Sequence, residues 1–122
     1  MKKLNFTVML IILLAGLALV SFKIQQTSIT GTWNMAVETS QGSGNPVFVL
    51  KQEKDTLITG TYSGIFGEFP VKGSLVGDKI KLVVKTTDVT MEYTGTVNGN
   101  SMSGKVAYTG YGEGTFTGKK KE

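Results

Sequence analysis

A chain of 122 residues with 13 lysines, no arginine, no histidine and no cysteine has room for one small domain and lacks several chemistries outright. Disulfides, thiolate nucleophiles, zinc–thiolate sites and histidine-based triads are excluded by composition. The formal charge of +4 comes from the two ends, since seven lysines face eight acids between Ile24 and Gly118; a nucleic-acid partner is therefore not expected.

In chain order, residues 1–23 read as a signal peptide or an N-terminal membrane anchor. Lys2 and Lys3 precede a nearly unbroken apolar run from Leu4 to Phe22, just long enough to span a bilayer. Small residues near its end (Ala15, Gly16, Ala18, Ser21) favour cleavage over permanent anchoring. The two lysines hold the N-terminus on the cytoplasmic side while the run inserts. The expectation is an exported protein: periplasmic, extracellular or membrane-anchored facing outward, with the membrane touched only through this segment. Residues 24–29 form a polar linker and residues 119–122 a basic tail, which leaves the domain at residues 30–118.

The domain reads as short strands with no helical period. Thr30 to Glu38 alternates, with Trp33, Met35 and Val37 on one face. Ser40 to Asn45 is a loose connection, and Pro46 opens a second strand, where its missing N–H costs no ladder bond. Phe48, Leu50 and Gln52 face inward on that strand, and Lys54-Asp55-Thr56 turns the chain. In the third and fourth strands, Gly60 opposite Gly73 pairs Tyr62 with Val71 and Ile58 with Leu75. Gly77-Asp78 is a tight turn that sets Leu75 against Ile80, Gly73 against Leu82 and Val71 against Val84. Thr86 to Val89 turns into the clearest hairpin of the chain. Around Gly99-Asn100, Val97 faces Met102, Gly95 faces Gly104, Tyr93 faces Val106 and Met91 faces Tyr108, while Thr94, Thr96, Ser103 and Lys105 point the other way. Thr109 to Gly112 turns into a last strand with Gly114 and Phe116 inward.

Eight antiparallel strands in meander order predict an all-β, up-and-down barrel, because closure removes both sheet edges. Glycines Gly60, Gly73, Gly95, Gly104 and Gly114 fall on the inner face of successive strands, as a tightly coiled wall requires. A two-sheet β-sandwich is the alternative.

Gly31-Thr32-Trp33 opening the first strand resembles the Gly-x-Trp start of the lipocalin group. With Ile58-Thr59-Gly60-Thr61-Tyr62 it is equally similar to the avidin barrels, and the domain as a whole resembles small barrels of bacterial exported proteins. The resemblance implies an eight-stranded barrel. In lipocalins a basic residue near the last strand packs over the tryptophan, and Lys119 is the candidate here. Avidins read biotin with several tryptophans and polar side chains that this chain lacks, so biotin binding is not implied.

The acids lie on outward faces or in turns, where no two are desolvated against each other as a paired-carboxylate mechanism requires. Gly42-Ser43-Gly44 does not match a nucleophile elbow, and no acidic loop is dense enough for calcium. The chain is accordingly expected to have no catalytic residues, no metal and no cofactor, and not to be an enzyme. Trp33, Gln52, Tyr62, Tyr93 and Tyr108, all inward, are the candidate ligand-binding residues, although a barrel of this size is first expected to fill with its own side chains. Ile65, Phe66 and Tyr111 at loop tips are candidate partner contacts. The functional expectation is an exported, non-enzymatic barrel module of the cell envelope that binds a small apolar ligand or an envelope protein. The alternative is a structural barrel tethered by its leader.

Overall fold

Alternating apolar and polar residues build most of the strands in the computed structural model, which describes residues 28–121. The leader and most of the linker lie outside the described residues. The strands are β1 (Gly31–Thr39), β2 (Gly42–Gly44), β3 (Val47–Glu53), β4 (Leu57–Gly64), β5 (Gly67–Val76), β6 (Lys79–Lys85), β7 (Thr90–Asn98), β8 (Ser101–Tyr108) and β9 (Gly112–Lys120). β2 and β3 both pair antiparallel with β1, each strand from β3 onwards pairs antiparallel with the next, and β9 returns to β1 through seven residue pairs from Trp33–Lys120 to Thr39–Gly114. That ladder closes the sheet, so the protein is an up-and-down barrel rather than a sandwich with open edges.

β2 and β3 are one strand in effect. Both lie on the same edge of β1 in a single register, Val37 against Gly44 and Asn34 against Val47, so the barrel has eight staves. Pro46 sits at the break: its carbonyl accepts from the Met35 N–H at 3.0 Å, while its own nitrogen has no proton to return. The loose connection expected over Ser40 to Asn45 is therefore corrected to a turn at Ser40-Gln41 followed by paired strand. Gly42, at φ 138°, permits the immediate return.

The β5–β6 and β7–β8 registers are those expected from the alternation. The β4–β5 register is not. Gly60 faces Val71, Ile58 faces Gly73 and Tyr62 faces Phe69, a slip of two residues from the glycine-matched pairing. The connection is only Ile65-Phe66, between Gly64 and Gly67, and a turn that short dictates the register. Because the slip is two and not one, every side chain keeps its face.

The interior is apolar, with no buried polar or charged residue among those described. Its middle is filled by an edge-to-face chain of rings, Tyr62–Phe48–Tyr93–Phe116, with centroids 5.4, 5.0 and 5.1 Å apart. The inward glycines let the wall coil that tightly: a Cβ on Gly60, Gly73, Gly95, Gly104 or Gly114 would run into a backbone carbonyl oxygen of the neighbouring strand.

Three residues assigned by sequence to the flanks belong to the barrel. Ile29, expected in the linker, is fully buried and plugs one end. Lys119 and Lys120, expected in a frayed tail, are the last residues of β9.

Candidate ligand-binding mouth

In a meander, alternate connections fall at the same end of the barrel. The turn at Ser40-Gln41, the Ile65-Phe66 turn, the 86–89 loop and the 109–111 turn gather at one end. Between them lies an open cleft of about 800 Å³. Its floor is made by Tyr62, Tyr93 and Tyr108, each near the mouth end of its strand, with Val37, Pro46 and Val89 around them. Its rim carries Ile65, Phe66 and Tyr111, which are 90%, 41% and 62% exposed. The tyrosines expected to meet a ligand and the loop-tip residues expected to meet a partner are thus brought into a single site.

The mouth is held open by local bonding. The Thr86 hydroxyl accepts from the N–H groups of Asp88 (3.3 Å) and Val89 (3.0 Å) and donates to the Val89 carbonyl at 2.8 Å, which fixes the 86–89 loop. The Tyr111 N–H donates to the Tyr108 carbonyl at 2.9 Å, and the Gln41 N–H to the Thr39 hydroxyl at 3.1 Å. Gly64 has no Cβ because the Tyr62 phenol occupies that space beneath the Ile65-Phe66 turn. A cleft already shaped in this way costs a ligand little ordering.

The phenols are neutral. Burial holds the Tyr93 phenol far above its ordinary value of 10.0, and the neighbouring Tyr108 and Tyr62 phenols push the same way. Burial also raises Tyr62, against a lowering by the Phe66 backbone, and raises Tyr108, against a lowering by Tyr93. Through the physiological range all three remain protonated and can donate a hydrogen bond. Two charged residues that sequence did not single out, Asp88 and Glu113, also line the cleft, and both are acids. Strand parity in the meander was the signal that could have placed them there.

Trp33 and Gln52 lie at the opposite end and do not line the cleft. The Trp33 indole donates to the Ile29 carbonyl at 2.8 Å. The Gln52 side chain accepts from the Ile29 N–H and donates to the Asp55 carbonyl, both at 3.1 Å. Their polar groups are spent on closing that end. Lys120, rather than Lys119, stands across from Trp33 in register; its stem lies against Gly31 and its ammonium donates to the Ser28 carbonyl at 2.9 Å. Lys119 is exposed on the outer wall.

The chain is a small lipocalin-like barrel. No family model matches it, and no curated protein matches its sequence. Among solved structures it is similar to EF1p2_mFAP2b bound to DFHBI, at 12% identity and a TM-score of 0.54, over 77% of this chain and 94% of that one. It is also similar to Echinococcus granulosus fatty-acid-binding protein 1, at 11% identity and a TM-score of 0.50, over 77% of this chain and 98% of that one. At these identities the likeness defines the fold.

Proposed function

We propose that the protein is a binding module that takes a small, largely apolar ligand into the mouth. The observation that carries this reading is the preformed cleft of about 800 Å³, floored by three protonated phenols and rimmed by exposed apolar side chains. Two barrels of similar fold support it in kind, one bound to DFHBI and the other a fatty-acid-binding protein. The filled middle confines a ligand to the mouth and keeps it in contact with the loops. On this proposal the module acts by binding, since its cleft presents aromatic, aliphatic and uncharged polar side chains with Asp88 and Glu113 as its charged groups.

A neutral solvatochromic dye such as Nile red tests the reading on the purified domain. It should bind with a blue-shifted emission and be displaced when Phe66→Asp puts a charge on the rim. Binding unaffected by that substitution would place the dye elsewhere and remove the case for the mouth.

Export belongs to the same proposal, with the apolar run from Leu4 to Phe22 as the leader and the cell envelope as the site of action. Mass spectrometry of the native protein checks it: a mature chain starting near Phe22 means release, and an intact N-terminus means an anchor. A reporter fused after Glu122 that is active only in the cytoplasm would remove the envelope role.

A further inference from the structure

The charged side chains are sorted between the two ends of the barrel. Glu38, Glu68, Asp88 and Glu113 stand towards the mouth end with Lys85, while Lys72, Lys81 and Lys105 lie along the middle of the outer wall, Lys105 in one register row with Thr115 and Glu38. Glu92, a little further down β7, is paired with Lys81 at 3.4 Å. The opposite end carries Lys51, Lys54, Lys79 and the run from Lys119 to Lys121, against Glu53, Asp55 and Asp78. Two of those three acids are within ion-pair distance of a lysine, Glu53 with Lys51 at 3.8 Å and Asp78 with Lys79 at 3.9 Å. Charge separated in this way focuses a negative potential over the cleft.

The lining agrees with that field. Asp88 and Glu113 border the cleft and no lysine does. The remaining surface is aromatic, aliphatic or uncharged polar, and Phe66 and Tyr111 are exposed aromatic side chains at the rim. Aromatic faces carry partial negative charge and attract cations, ammonium groups above all. A carboxylate would meet the opposite: it would have to shed its water beside two acids, with only neutral donors to compensate, the phenols and the hydroxyls and amides between Thr39 and Asn45, and no cation to pair with.

We propose that the mouth selects hydrophobic organic cations, alkyl- or arylammonium compounds, over carboxylates of the same size. This rests on the ligand-binding reading of the cleft and adds the class of ligand to it. The apolar part of the molecule lies over Val37, Val89 and the tyrosine rings, and its ammonium sits at the rim between Asp88, Glu113 and the exposed aromatic rings. Quaternary and primary amines both qualify, because the attraction is to charge and not to a particular N–H.

Calorimetric titration of the purified domain with three ligands of one tail length tests it: octyltrimethylammonium, octan-1-ol and octanoate, all well below their micelle concentrations. The ammonium should bind more tightly than the alcohol, and more tightly than octanoate by at least about tenfold at low salt. That preference should shrink as salt is raised, since the rim is open to solvent. The Asp88→Asn/Glu113→Gln double variant should bring the ammonium's affinity close to the alcohol's measured on the same variant. Both positions are solvent-exposed, so the variant retains the fold, and circular dichroism verifies it. Glu53→Gln at the far end should change none of the three affinities. Octanoate binding as tightly as the ammonium, or a double variant that keeps the full preference, would overturn the cation assignment while the apolar mouth stood. Failure of all three ligands, the alcohol included, would overturn the mouth itself and the assignment with it.

Discussion

At Gly95 the inner wall leaves no room for a side chain. A Cβ there would collide with the Ser103 carbonyl oxygen and crowd the Gly104 Cα across the β7–β8 pair. Gly95→Val should cost about 1–3 kcal/mol in urea unfolding, through overpacking against backbone that cannot move aside. Thr94→Val, on the exposed outer face of the same strand, should stay within about 0.5 kcal/mol. Equal losses at the two positions would mean the wall is not coiled as described. The buried phenol makes a second prediction at this scale. Tyr93 is held protonated in the barrel, whereas in the unfolded chain it ionises near its ordinary value of 10.0. Its contribution is therefore complete below pH 10 and is lost as pH rises beyond that, because only the unfolded chain gives up the proton. Stability measured from pH 8 to 11 should fall at the alkaline end, and Tyr93→Phe should make that fall shallower.

Among the elements, the two ends of the barrel are built by different means. The mouth loops bond mainly within themselves, with the Thr109 N–H reaching the Thr90 carbonyl at 3.0 Å, and the opposite end is stitched together by bonds from the C-terminal residues. There the Lys120 N–H donates to the Asn100 carbonyl at 2.8 Å and the Lys121 N–H to the Thr32 carbonyl at 2.7 Å. Lys120→Ala should lower stability by about 1 kcal/mol, by removing the bond to Ser28 and the stem packed over Gly31. Lys119→Ala should be neutral in the same thermal melt. The β3–β4 turn offers a test of opposite sign. Lys54 is the one described non-glycine residue at positive φ, 55°. Lys54→Gly should raise stability by up to about 1 kcal/mol, since the strain it relieves slightly exceeds the entropy it adds.

The whole molecule is where the candidate site came together. In/out alternation placed Tyr62, Tyr93 and Tyr108 inside and Thr94, Thr96 and Lys105 outside, because a strand's side chains obey a period of two whatever the strand pairs with. It even survived the β4–β5 slip, since a shift of two preserves the faces. Strand count and the tight turns at Gly77-Asp78 and Gly99-Asn100 were legible because each is a local signal, carried by residues adjacent in the chain. Closure, a pairing of the first strand with the last, was instead inferred from the inward glycines and the need to remove both sheet edges. Which residues share an end of the barrel is a non-local property. Trp33 and Gln52 are inward like the tyrosines, yet they stand at the far end, tied to Ile29. Ile65, Phe66 and Tyr111, from two turns more than forty residues apart, meet those tyrosines around one cleft. Net charge told the least: near balance along the domain, it becomes an acidic mouth and a basic base only when the meander sends alternate turns to opposite ends. Sequence by itself thus determined the strands, their faces and the glycines that let the wall bend, since these follow from neighbours in the chain. Only the closed barrel decided the axial position of each residue, and with it the cleft, its rim and the sign of its field, because axial position depends on the register of all eight staves together.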